Sequence, residues 1–178
     1  MSEIIQRTLV LDAANVNQKI KRIAYQIFEN NFKEKFLVLA GIDGQGYSFA
    51  KLLAQELESI AAIEIKVVKV SLDKLAPTVG EVVLDCGAKE LKKKCIVLID
   101  DVLNTGRTLA YGMKPFLEIE IKKLEVAVLV NRSHTQFPVT PTHTQFPVTP
   151  TYTGYALSTT LTDHVEVVLG KQAAVYLK

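Results

Sequence analysis

The sequence predicts an α/β protein with a doubly wound, mainly parallel sheet flanked by helices and a small C-terminal cap. Three observations predict it. Short β-branched apolar runs alternate with stretches of helical spacing, the pattern of successive strand–helix–strand units. One run, Ile96-Val97-Leu98-Ile99, is apolar at every position, as a strand covered on both faces must be. The last third is poor in helical spacing, which suits a small cap over the carboxyl edge of the sheet. With 178 residues, 48% of them hydrophobic, the chain is long enough for one sizeable core. We expect a single domain over residues 1–178, with 132–178 forming the cap.

The elements follow in order. Asn15 is expected to cap the first helix, with Gln18 at the reciprocal position of a capping-box-like arrangement. Val16, Ile20, Ile23, Ala24, Ile27 and Phe28 then recur at helical spacing. Phe36 to Ala40 reads as a short strand that breaks at Gly41-Ile42-Asp43-Gly44-Gln45-Gly46. Phe49, Leu52, Leu53, Leu57 and Ile60 mark one face of a second helix. Ile63 to Val70 alternates and is β-branched, so it reads as a strand. Leu72 to Gly80, with Pro77, reads as a loop, and Val82 to Leu84 as a short strand. Lys92-Lys93-Lys94 reads as a solvated turn before the Ile96 strand. Leu109, Met113, Phe116 and Leu117 outline a helix that Pro115 kinks or shortens. Val126 to Val130 is another buried strand. Val165 to Leu169 and Ala173 to Leu177 read as two late strands joined through Gly170.

Composition excludes several classes. The 21 basic and 19 acidic residues give a net charge of +2, too balanced to imply a nucleic-acid partner. Cys86 and Cys95 are the only cysteines and have no Cys-x-x-Cys spacing, which argues against a disulfide framework or zinc site. They read as buried thiols in a reducing compartment. Residues 1–20 lack a basic stretch followed by an apolar run, and no apolar segment approaches membrane-spanning length. A cytoplasmic location and no membrane contact are expected. His134 to Thr142 recurs identically as His143 to Thr151. Two copies of so short a period do not make a solenoid. The repeat reads as an extended surface loop, from a recent duplication or a sequence error.

The chemistry concentrates after Ile99. Asp100 and Asp101 sit where the strand is expected to end. The tight loop Asn104-Thr105-Gly106-Arg107-Thr108 then opens a helix. Ligands bind at the carboxyl ends of strands in open α/β sheets. A Gly-containing loop at a helix start presents backbone N–H groups, and Thr hydroxyls add donors, which suits a phosphate. The carboxylates suit sugar hydroxyls and hydrated Mg²⁺. Together these demands describe a ribose phosphate.

The segment from Ile96 to Thr108 resembles the 5-phosphoribosyl-1-diphosphate (PRPP) signature of type I phosphoribosyltransferases. Within that family the chain is similar to the bifunctional pyrimidine-operon attenuator/uracil phosphoribosyltransferases. Asp100 to Thr108 with Gly112-Met113, Leu129-Val130-Asn131-Arg132-Ser133-His134 with Pro138, and Tyr152-Thr153-Gly154 carry this likeness. Residues 71–94 match it poorly. The resemblance implies the type I phosphoribosyltransferase fold, whose cap is called the hood. It implies attack of a nucleobase nitrogen on C1 of PRPP, with uracil the favoured base and diphosphate released. It also implies Mg²⁺, held by Asp100 and Asp101 through PRPP and waters, and a homo-oligomer. PRPP and a nucleobase or nucleoside monophosphate are the implied ligands.

On the same resemblance, Asp100 and Asp101 are the catalytic pair. Asn104, Thr105, Gly106, Arg107 and Thr108 hold the 5-phosphate. Asp43, Gly44, Gln45 and Gly46 form the diphosphate loop, and Asn131 and Arg132 border the base. The chain departs from the family at two of these positions. Gln45 stands where Arg or Lys precedes the last glycine, and Asn131 where Asp is usual. Leu72 to Gly80 occupies the place of the catalytic loop but is short. Two alternatives therefore remain: a weakly active nucleotide-binding regulator of pyrimidine genes, and a purine salvage enzyme. Asn104 argues against the second, because Asn cannot act as a general base. RNA is only weakly supported as a partner, since Thr135 and Thr140 replace arginines of the attenuator branch. His164 reads as a solvated residue.

Overall fold

The computed structural model describes residues 7–73, 80–133, 148–160 and 162–178. The elements among them are β1 (Thr8–Leu11), α1 (Ala13–Asn31), β2 (Phe36–Ile42), α2 (Gln45–Ile60), β3 (Glu64–Ser71), β4 (Val83–Leu84), α3 (Ala88–Leu91), β5 (Cys95–Leu103), α4 (Arg107–Gly112), α5 (Lys114–Leu117), β6 (Lys123–Ser133), β7 (Tyr152–Ser158), β8 (Val165–Val168) and β9 (Ala174–Leu177). Six strands form one sheet in the order β4-β3-β2-β5-β6-β7. Every neighbouring pair is parallel except β3 and β4. The mainly parallel α/β sheet is thus as the sequence predicts.

Alternation along the central strands splits the core between two faces. Leu37, Leu39, Val97, Ile99 and Leu129 pack under α1 and α2, together with Phe49, Leu53 and Leu57. Val38, Ala40, Ile42, Ile96, Leu98 and Val128 pack on the opposite face against Leu91, Leu109 and Phe116. A strand covered on both faces has no polar face, which is why the apolar runs are continuous.

Several boundaries differ from the expectation. Helix α1 is capped by Asp12, not Asn15: the Asp12 Oδ1 accepts the Asn15 amide at 2.8 Å and the Asn15 Nδ2 at 2.9 Å. Asn15 is the third helical residue and the donor to that cap. Strand β2 does not break at Gly41. Gly41 pairs with Lys69 and Ile99, and the turn is reduced to Asp43 and Gly44. Gly41 serves packing instead, because a Cβ there would lie 2.6 Å from the Tyr47 Cα of α2. The helix after the PRPP-like segment is divided at Met113, with Pro115 in the first turn of α5. Leu117, placed on its apolar face by the spacing, is 74% exposed.

The segment 132–178 does not form one cap. Arg132 and Ser133 end β6, and β7 is the sixth strand of the main sheet. The cap is a separate antiparallel sheet ordered β1-β9-β8, so it recruits the N-terminal strand. The late pair β8–β9 does turn through Gly170, whose φ of +107° favours glycine. Leu11, Val165, Val167 and Val175 seat this sheet on the α1 side of the core. Most of the loop Leu72 to Gly80 and of the repeat, including His134 and His143, lies outside the described residues.

Candidate functional site

Parallel pairing brings the ends of β2, β5 and β6 to one edge, and the predicted site residues converge there. Strand β5 runs four residues past Ile99, to Leu103, because β6 continues beside it: Asp100 faces Val128, and Leu103 faces Asn131. The two acids therefore differ in environment. Asp100 is buried, 4% exposed, and its Oδ1 accepts the Asp101 amide at 3.0 Å. Asp101 is half-buried and lines a cavity. The expectation that the strand ends at these acids is corrected: both lie within β5, and Asp100 is in its buried part.

Gly46 explains part of that burial. It lies in the first turn of α2, and a Cβ there would be 2.9 Å from the Asp100 Oδ1 and 3.0 Å from the Ile99 carbonyl oxygen. The glycine lets the helix start press on the acid. Just before it, Gly44 has φ +93°, Gln45 is the first helical residue, and the turn Asp43-Gly44 is exposed. The Asp43 Oδ1 accepts the Gly44 amide at 2.8 Å and pairs with the Lys69 Nζ of β3 at 2.9 Å.

The second loop follows β5. Gly106 is buried in the left-handed region at φ +78°, turning the chain into α4. Asn104, Thr105 and Arg107 are exposed and Thr108 is half-buried. The Thr105 Oγ1 accepts the Arg107 amide at 3.4 Å, which leaves its hydroxyl proton to donate outward. Next to this loop is a cavity of about 140 Å³ bounded by Asn104, Thr105, Gly106, Asn131, Arg132 and Val148–Pro150. A larger one, about 290 Å³, lies between Asp101, Val102, Asn104 and Arg132 on the main sheet and His164–Val167 on the cap.

Arg132 borders both cavities but is largely committed to the protein. It is 6% exposed; its Nε donates to the Thr159 Oγ1 at 3.0 Å, and one Nη to the Thr160 and Asp163 carbonyls at 3.1 and 2.8 Å. Burial pulls its pKa down, opposed by the Asp163 carboxylate. The side chain clamps the segment leading to β8 onto the end of β6. A lysine cannot span three acceptors. Arg132→Lys is therefore expected to cost about 2 kcal/mol, roughly 4–8 °C in Tm, read by thermal unfolding. The cap residues of the larger cavity escaped the sequence reading. His164, read as solvated, is exposed yet lines it with Glu166. The Arg132 clamp and the pairing of β8 with β9 bring them there, and no local motif signals either.

Among the described residues, no group of three His, Cys, Asp or Glu side chains is placed to hold a metal. None of their helices is long and apolar enough to cross a membrane. Cys95 is buried and Cys86 half-buried, and burial raises both thiol pKa values.

Residues 7–150 match the model of the phosphoribosyl transferase domain family. A bifunctional protein PyrR of Leuconostoc mesenteroides is 34% identical over 136 residues, covering 73% of this chain and 78% of that protein. The bifunctional protein PyrR of Clostridium beijerinckii is 32% identical over 141 residues, covering 75% and 79%. In three dimensions the chain is similar to the hypoxanthine phosphoribosyltransferase of Trypanosoma cruzi. The TM-score is 0.69 at 14% identity, over 85% of this chain and 82% of that one.

Proposed function

Because the chain belongs to the phosphoribosyl transferase family, we propose that it transfers ribose 5-phosphate from PRPP to uracil, releasing diphosphate, in the cytoplasm and as a homo-oligomer. The convergence of Asp100, Asp101 and the Asn104–Thr108 loop on one sheet edge carries this reading. The 5-phosphate sits on the loop, held by backbone N–H groups at the start of α4 and by the hydroxyls of Thr105 and Thr108. Asp101, facing the cavity, accepts from the ribose hydroxyls. Asp100, buried beneath Gly46, holds the strand end through the Asp101 amide. The base enters the cavity beneath the cap, near Asn131, Arg132 and His164.

Asp101, the acid that borders the cavity, would meet a Mg²⁺ carried mainly by PRPP and water, while buried Asp100 holds Asp101 in place through its amide. When bound, the cation supplies neutralisation of diphosphate charge. The chain's own residues orient the sugar and exclude water, so rate acceleration rests on positioning and electrostatics. Uracil rather than a purine is favoured by Asn104, which has no carboxylate to act on a purine ring.

Release of diphosphate from PRPP with Mg²⁺, across uracil, cytosine, hypoxanthine, guanine and adenine, tests the proposal. Turnover with uracil alone upholds it, and turnover with a purine alone overturns the base assignment. Gln45 supports a second reading, a nucleotide-binding regulator with little activity, which predicts PRPP binding without release for any base. The phosphate loop has its own test. Thr105→Val with Thr108→Val removes two charge-assisted donors worth roughly 1.5–3 kcal/mol each. Affinity for ribose 5-phosphate should fall at least about tenfold by calorimetric titration. Unchanged affinity in a folded double variant would remove the phosphate from this loop.

A further inference from the structure

We propose that Lys69 of β3 is a diphosphate-binding residue, delivering from the neighbouring strand the cation that Gln45 does not supply. The inference rests on the phosphoribosyl transfer proposed above. The turn Asp43-Gly44 leads into the sixteen-residue helix α2 at the carboxyl edge of the sheet. A diphosphate bound at this turn meets the free N–H groups of a helix start. It also meets a carboxylate at Asp43, which repels it unless that charge is balanced.

The balance comes from β3. Gly41 pairs with Lys69 and Ile42 with Val70, so Lys69 ends beside the turn. Ile65 and Val67 pack on the α2 side of the sheet. Alternation puts Lys69, two residues further on, on that same side. Its Nζ reaches the Asp43 Oδ1 at 2.9 Å, and the two side chains are 37% and 49% exposed. Asp85 accepts the Lys69 backbone amide at 2.8 Å through a carboxylate oxygen. The Asp43 Oδ1 also accepts the Gly44 amide, so the carboxylate is anchored to the turn while the ammonium hangs on a flexible stem. An incoming diphosphate shares that ammonium with the exposed carboxylate, so the acid stays balanced while the diphosphate gains a cation. Exposed ion pairs are weak, so little holds Lys69 back.

The test is calorimetric titration of the whole chain with PRPP plus Mg²⁺, beside ribose 5-phosphate, which lacks the diphosphate. Lys69→Met should weaken PRPP at least about tenfold and leave ribose 5-phosphate unchanged. The ratio should shrink as salt rises. Lys69→Arg should stay within about threefold of wild type. Adding Gln45→Arg to Lys69→Met should restore most of the PRPP affinity, since it returns a cation to the same loop. Equal PRPP affinity in wild type and Lys69→Met overturns the assignment. So does an equal loss for both ligands, which marks damage to the ribose phosphate site. If wild type binds neither ligand, the phosphoribosyl transfer reading itself fails, and this proposal with it.

Discussion

Gly154→Ala is expected to destabilise the protein by roughly 3 kcal/mol or more, lowering Tm by about 6–12 °C. A Cβ at this position would lie 2.5 Å from the Leu129 carbonyl oxygen, 3.1 Å from the Leu129 Cδ1 and 3.3 Å from the Ile23 Cδ1. The two side chains need give by only a few tenths of an ångström, whereas something must shift at the carbonyl, which is backbone. It belongs to β6, and moving it separates β6 from β7 at Val128–Thr153 and Val130–Tyr155. The same change disturbs the outer edge of β7, where the Arg22 guanidinium of α1 donates to the Thr153 and Gly154 carbonyls at 2.8 and 2.6 Å. Gly80 is the control: among the described residues nothing surrounds its Cβ position within 4 Å, and Gly80→Ala should leave Tm unchanged. Equal melting temperatures for the two variants would show that β7 is not packed on β6 as described.

The role of Gly154 also marks how far the sequence could be read. Strands β2, β5 and β6 are legible because burial on both faces demands uninterrupted apolar runs, and β3 because its β-branched residues alternate with polar ones. Strand β7 is not, since its buried positions, Tyr152 and Gly154, alternate with half-exposed ones and one of them has no side chain. Strand β1 is hidden for another reason. Three of its four residues stay accessible, and only the partner strand β9, over 160 residues away, organises it. The segment Ile96–Thr108 is recognisable as a strand–loop–helix motif, because its apolar run is followed by residue types that match ribose phosphate chemistry. The clamp made by Arg132 was not, because its acceptors are two backbone carbonyls and a hydroxyl 27 to 31 residues away. Lys69 was hidden likewise: its position beside Asp43 follows from the β2–β3 register alone.

The Asp100–Asp101 pair shows most sharply what burial adds to a motif. From sequence the two acids are equivalent; in the fold Asp101 borders the cavity and Asp100 lies beneath Gly46. Asp101→Asn is expected to lower turnover about 10²–10³-fold, with Tm unchanged, because an acceptor for the ribose hydroxyls loses its charge while its shape is kept. Asp100→Asn should also slow turnover, but with a measurable loss of stability. Its carboxylate is 4% exposed and accepts the Asp101 amide at 3.0 Å, and an amide placed there brings two donors into a buried space. Steady-state diphosphate release and thermal unfolding, measured on both single variants, separate the two roles. Should Asp101→Asn retain full turnover while Asp100→Asn loses it at unchanged Tm, the buried acid is the one that meets the sugar, and the strand end must open to admit substrate. Loss of stability in both, with turnover per folded molecule intact, would make the pair structural and remove the ribose from this edge of the sheet.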